Sequence, residues 1–409
     1  MLTRIDASTR HIQFRSLKSG ARIAAVHAPQ TRNASVVLGV AAGMRHEREG
    51  EEGMMHLLEH LIYQDSSTIT GADRELQVLH AGGVLGGHTH MDYTEFYETA
   101  PVNQIDDMAR RIADQVFYPR LREEQITTQV TAVATERASR LASAPGGVLP
   151  WPHLSAHCWQ DHANSHDGSG DADLLGRATG GRLRELHARH YRTSNAVMVA
   201  FGPKEPADML QSLQDALPTE TPEAPAVPPA QESIFRTASR RTVTVPGLQR
   251  PRLLVATRSA PAPRVHSEIL GDLLAAAMLS LPSGLDASAG MFGPGDRVHN
   301  DLFVLVDDTN SGIEPVERLA ALRFCDDDLL LRAGQRALFT AEKLVHDDQR
   351  FARAVARDIL LRDAPGFAAS LVQKLRDGLG DVPGLRAALQ TSAKRLAAQQ
   401  HHHLTLEPA

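Results

Sequence analysis

Residues 218–229 read Pro-Thr-Glu-Thr-Pro-Glu-Ala-Pro-Ala-Val-Pro-Pro and interrupt a chain of 409 residues near its middle. Each proline fixes φ and removes a backbone donor, so this stretch can join neither a helix nor a sheet and reads as a semi-rigid linker. A chain this long exceeds the size at which one hydrophobic core stops growing. The expected organisation is therefore a domain over 1–216, a linker over 217–234 and a second domain over 235–409.

The order of elements before the linker begins again after it. The first half shows a hairpin over 11–16 and 22–27 around Lys18-Ser19-Gly20, then a buried strand over 35–42. A helix around residue 56 follows, another over 71–80 stopped by Gly82-Gly83, and strands over 84–90 and 94–101. Helices are expected over 104–117, 122–141 and 181–191, with a strand over 195–201. Residues 145–175, dense in Gly, Pro, His and Asp, read as loop with one short helix near 153–160. The second half gives strands over 242–245 and 252–258, a helix over 266–281, a glycine-rich segment and a strand over 302–306. Helices over 326–346, 349–361 and 383–399 and a last strand over 403–406 close it. The expected fold class is α+β, two similar α/β-sandwich domains with antiparallel-rich sheets covered by helices.

Composition sets limits on function. A net charge of −6 with no basic, aromatic-interleaved segment leaves no footprint for nucleic acid. No stretch approaches 20 consecutive apolar residues, so no membrane span is expected. The two cysteines, Cys158 and Cys325, are far apart and outside any C-x-x-C pair, which argues against a disulfide framework. The N-terminal residues lack the apolar core of a secretory signal, and the expected compartment is the cytoplasm.

Within Gly53 to Tyr63, drawn as a helix, His56, Glu59, His60 and Tyr63 form one stripe. Met54, Met55, Leu57, Leu58, Leu61 and Ile62 cover the opposite side. Two imidazoles at i and i+4 can meet one tetrahedral metal ion, with a carboxylate beside them to take a proton from water. The chain has 20 histidines, so the pair alone has a sizeable chance of accident, and a third ligand decides its weight.

The arrangement around His56-Leu57-Leu58-Glu59-His60 resembles the inverted-zincin metallopeptidases of the pitrilysin and mitochondrial-processing-peptidase group. The resemblance implies Zn²⁺, one ion per chain, held by His56, His60 and a glutamate on a later helix, with Glu59 as general base. Glu136, 76 positions after His60 (136 − 60), meets that spacing on the helix over 122–141. Gly82 to Thr89 and Asp92-Tyr93-Thr94-Glu95-Phe96-Tyr97 resemble the family's Gly-Gly turn, edge strand and return strand. Leu186 to Ala196 resembles the helix-to-strand passage near the end of its first domain. By this likeness Gly86, Gly87, His88 and Thr89 belong to a strand on which peptide substrate adds.

Departures shape the expected assembly. Gly86-Gly87 stand where the family usually has Asn-Ala, and Gln129 stands where it often has a second glutamate supporting the metal. A neutral amide still hydrogen-bonds a histidine ligand but raises its basicity less. The family's short members carry an arginine and a tyrosine in the second half that complete the site, whereas all five tyrosines here, at 63, 93, 97, 118 and 191, precede the linker. The resemblance thus implies a zinc endopeptidase subunit for short or unfolded peptides, paired with a homologous subunit that supplies Arg and Tyr, a homodimer being the weaker expectation. The alternative is a non-catalytic scaffold of the same fold that keeps the motif. His88 and His90, on one side of a strand, read as polar or substrate-facing, and His153, His157, His162 and His166 as a solvated surface. The segment 284–295 lacks a P-loop pattern, and G-x-S-x-G is absent.

Overall fold

The computed structural model describes residues 3–7, 10–147, 152–170, 172–219, 234–259, 266–281, 285–289, 302–307 and 314–409. Most of the expected linker, and most of the glycine-rich segment, lie outside the described residues. The described chain packs as two compact units. Unit 1 takes residues 1–135, 168–229 and 344–369, and unit 2 takes 136–167, 230–343 and 370–409. Each unit thus draws on both sides of the proline-rich stretch.

Unit 1 is built on seven strands: β1 (Thr3–Ala7), β2 (Arg10–Ser16), β3 (Arg22–His27), β4 (Asn33–Val40), β5 (Val84–Thr89), β6 (Thr94–Pro101) and β7 (Ala196–Gly202). Their order is β1-β2-β3-β7-β4-β6-β5, antiparallel throughout except for β3 beside β7. The side-chain period of two sorts the apolar residues onto two faces. Ile23, Val36, Leu38, Met198 and Ala200 join one core, and Ala24, Val37, Val197, Val199 and Phe201 join another. The first is covered by α1 (Met54–Ile62), α3 (Ile105–Phe117) and α4 (Glu123–Ser143), with helices Gly180–His190 and Pro206–Ala216. Between α1 and α3, helix α2 (Gly71–His80) leads into β5, the edge strand.

The second face is covered by helix Asp348–Arg362, through Phe351, Ala352, Val355, Ile359 and Leu360. Leu360 reaches the sheet at Gly39, where a Cβ would come 2.6 Å from its Cδ1. The helix is a segment from beyond the linker built into the first unit.

Unit 2 carries β8 (Arg240–Val245), β9 (Arg252–Arg258), β10 (Leu285–Ala289), β11 (Leu302–Asp307) and β12 (His402–Pro408), in the order β10-β11-β9-β12-β8. Val255, Phe303 and Leu305 face a helical layer that includes Leu274, Leu330, Leu375 and Leu389. Leu254, Ala256, Val304 and Leu404 face Leu154, Cys158 and Trp159. The expectation of a solvated histidine-rich surface is corrected here. Residues 153–158 form a short helix in which His157 is buried, its ring 5.2 Å from that of His402, because Leu154, Cys158 and Trp159 draw the segment into the core. Two further short helices, His162–Ser165 and Ala172–Leu175, occupy what reads as loop. Both units are thus mixed sheets layered with helices, as the sequence implies.

Candidate metal centre

Helix α1 is anchored before it begins. Gly53, with φ of 85°, caps it in the left-handed region, and a Cβ there would come 2.7 Å from the Gly170 backbone. Glu47, buried, accepts from the backbone N–H of Gly53 at 3.0 Å and of Met55 at 2.6 Å. This carboxylate satisfies donors that no helical carbonyl reaches and sits at the positive end of the helix dipole. Burial nevertheless raises the Glu47 pKa well above the usual range, outweighing those two hydrogen bonds. The preceding turn is tied to the β5–β6 connection by the buried Arg45–Asp92 ion pair.

So fixed, α1 buries eight of its nine residues. The methionines, leucines and Ile62 enter the core, which turns the polar stripe toward α4 and β5. The His56 and His60 rings meet edge to plane at 4.7 Å between centroids. On α4, one unbroken helix, Gln129 Oε1 lies 3.3 Å from His60 Nδ1. Two turns further along the same helix stands Glu136, placed by the continuity of α4. One ligand atom each from His56, His60 and Glu136 lies within 4.8 Å of the others. They form the one such group found among the described residues. Arg140, one turn on, donates to Glu136 Oε1. Two imidazoles and one carboxylate converging at this spacing are a donor set that could hold one metal ion of the Zn²⁺ type.

Glu59 projects beside these groups and is buried. Thr89 Oγ1, on the edge strand, donates to Glu59 Oε2 at 2.6 Å. The four strand residues singled out in the sequence therefore separate. Thr89 reaches the α1 side, whereas His88, exposed and opposite Glu95 in register, turns to the other face, its ring 6.0 Å from His90 and 6.2 Å from Tyr97. Gly86 and Gly87 leave room for Tyr97 and Tyr63, whose hydroxyls would crowd a Cβ at those positions. On the outer face Glu95 is buried between His90 Nε2 at 3.3 Å and Arg353 Nε at 2.8 Å. Burial raises the Glu95 pKa, but those two partners outweigh it and hold the carboxyl below its usual range.

Sequence reasoning did not single out Glu47 or the Glu59 contact of Thr89. A carboxylate seven residues ahead of the helix was the available signal for the first. The second needed the strand's face, which period alone leaves open.

Residues 22–166 match the model of the insulinase family, peptidase family M16. An uncharacterized zinc protease of Mycobacterium leprae is 26% identical over 200 residues, 49% of this chain and 44% of that protein. The coenzyme PQQ synthesis protein F of Pseudomonas aeruginosa is 26% identical over 296 residues, 69% of this chain and 36% of that protein. The chain thus spans less than half the length of either relative. A protease from Helicobacter pylori of known crystal structure superposes with a TM-score of 0.78 at 17% identity, covering 97% of this chain and 99% of that one. That likeness is one of fold.

Proposed function

This chain belongs to the pitrilysin-like peptidases of family M16, and from that premise we propose that it is the zinc-binding subunit of an endopeptidase acting on short or unfolded peptides. The observation that carries the reading is the convergence of His56, His60 and Glu136 within 4.8 Å, beside a buried Glu59 held by Thr89. Those three residues would hold one Zn²⁺ per chain. A zinc ion bound there supplies Lewis acidity toward a scissile carbonyl and makes water a competent nucleophile at neutral pH. Glu59 takes the water proton on its carboxylate and returns it to the leaving amine. Thr89 Oγ1 fixes which Glu59 oxygen is engaged, and Gln129 orients the His60 ring by accepting from Nδ1–H.

Substrate adds as a strand along β5, an edge with main-chain groups to offer, which favours extended peptides over folded proteins. Gly86, Gly87, His88 and Thr89 form that edge. The substrate class is a peptide precursor undergoing maturation, a proposal motivated by the relative named for coenzyme PQQ synthesis. A homologous partner subunit supplies the arginine and tyrosine, since no tyrosine follows residue 191. The domain division at the linker, 1–216 and 235–409, belongs to this reading as well. The compartment is the cytoplasm, which the two free thiols, Cys158 and Cys325, fit. No helix among the described residues is long and apolar enough to cross a membrane.

The departures in the second half favour one competing reading, a scaffold subunit that keeps zinc without turnover. Glu59→Gln separates the two: zinc bound at one per chain in both proteins, with peptide cleavage lost about 10²-fold or more in the variant, is the expected result. Equal residual cleavage by both forms, in the presence of the co-purifying partner, refutes the role of Glu59.

A further inference from the structure

The edge strand β5 carries two adjacent glycines, and each faces a tyrosine. A Cβ on Gly86 would come 2.5 Å from Tyr97 Oη, and one on Gly87 would come 2.8 Å from Tyr63 Oη. Successive strand positions face opposite sides, so the two phenols lie against the edge from its two faces. Tyr97 stands directly across from Gly86 in the β5–β6 register. Tyr63 comes from the metal side, one residue past α1, four positions after Glu59.

The two hydroxyls differ in their surroundings. The Tyr63 ring packs against Phe96 at 5.7 Å between centroids, with the Arg74 guanidinium 5.4 Å from its centre. Arg74 also donates to the Tyr63 backbone carbonyl, which fixes the residue at the end of the helix. Its Oη is buried and has no hydrogen-bond partner among the described residues. Burial, and then the charge of Glu59, raise the Tyr63 pKa well above the ordinary phenol value, so the group keeps its proton and is a donor. A buried donor left unmade is costly, and native proteins carry few of them.

A peptide strand added to β5 places one side chain opposite Gly87 on this same face, where Tyr63 Oη fills the space the missing Cβ leaves and has no hydrogen-bond partner among the described residues. We infer that Tyr63 is a specificity-determining residue whose hydroxyl donates a hydrogen bond to an uncharged acceptor side chain of the substrate, Gln, Asn, Ser or Thr, at the position beside Gly87. An acidic side chain is disfavoured there by the nearby Glu59 carboxylate, and an aliphatic one leaves the hydroxyl unsatisfied. Sites built to hydrogen-bond a substrate reject analogues that lack the partner far more strongly than apolar pockets reject a size change.

This inference rests on the peptidase reading, and the test keeps the two apart. Zinc-loaded enzyme, with any subunit that co-purifies, is assayed on fluorogenic decapeptides identical except that one position at a time is Gln, Glu or Leu. At one position the wild type is expected to favour Gln over both Leu and Glu about tenfold or more in kcat/KM. Tyr63→Phe is expected to lower the rate for the Gln peptide about tenfold more than for the Leu peptide, with zinc content equal to wild type. Gly87→Ala, which crowds the hydroxyl, is expected to shrink the same ratio. A Gln-to-Leu ratio that Tyr63→Phe does not move, or a loss equal for both peptides, overturns the assignment. If zinc-loaded wild type cleaves no peptide, the peptidase reading falls and takes this one with it; if it cleaves without preferring Gln anywhere, only the role of Tyr63 falls.

Discussion

Gln129 gives a test of the metal centre that needs no substrate. Its Oε1 lies 3.3 Å from His60 Nδ1, longer than the common range for a strong N–H···O bond, and it is a neutral acceptor. Carboxylates in this supporting role are worth about 10- to 100-fold in metal affinity. A long, neutral bond belongs at the low end, about 0.5–1.5 kcal/mol, which is roughly 2- to 13-fold. Gln129→Ala is therefore expected to weaken zinc binding by about three- to tenfold. Gln129→Glu makes the bond charge-assisted, about twice as strong, and is expected to tighten binding by about fivefold. Competition with a chromophoric chelator at fixed pH reads both constants. Unchanged affinity in the alanine variant, or weaker binding in the glutamate variant, would show that Gln129 does not orient His60 and would remove the histidine pair's support from α4.

Three further outcomes follow from contacts in unit 1. Thr89→Val removes the 2.6 Å bond to Glu59, a charge-assisted bond of about 1.5–3 kcal/mol, and should cut kcat/KM by about 10- to 150-fold, with Thr89→Ser restoring most of it. Gly53→Ala forces a Cβ to within 2.7 Å of the Gly170 backbone at positive φ, so chemical denaturation should register a loss of at least about 2 kcal/mol; a neutral result would mean that the α1 cap relaxes freely. Arg353→Met leaves Glu95 buried without the guanidinium that hydrogen-bonds it and should cost about 3–5 kcal/mol, part of which Glu95→Gln in the same chain recovers. Because the folded Glu95 pKa is depressed, its contribution is present above the unfolded carboxylate pKa and lost as pH falls through the folded value. Acid denaturation should therefore be steeper in the wild type than in the double variant.

How much of this was legible in the sequence depends on which contacts period and spacing encode. The hairpin over β2 and β3, helix α2, strands β5 and β6 and helix α4 are readable because their patterns agree with their turn residues. Strand β1, strand β10 and the helices Pro206–Ala216, Pro315–Ala321 and Phe367–Leu379 are missed by the sequence pattern, the first two because alternation over five residues with small or polar members is a weak signal. Helix Asp348–Arg362 is readable as a helix, but amphipathicity names a buried face and not the sheet it meets. At the site, His56, Glu59 and His60 share a stripe of one helix and need no tertiary knowledge, whereas Glu136 comes from a second helix, α4. That Thr89 and not His88 turns toward Glu59 follows from the register of β5 on β6, which is a property of the folded sheet.

The helix Asp348–Arg362 also sets an order of events during synthesis. The last strand of the sheet it covers ends at Gly202, and the helix ends 160 residues later (362 − 202). At roughly 5–20 residues per second, the ribosome takes about 8–32 s to bridge that interval. Throughout it, Ile12, Val26, Val37, Val199 and Phe201 belong to a sheet whose cover does not yet exist. A release or stall after residue 217 but before residue 362 thus yields a chain whose HLLEH helix has all of its own core, drawn from residues 21 to 217, while the opposite face of the same sheet stays open.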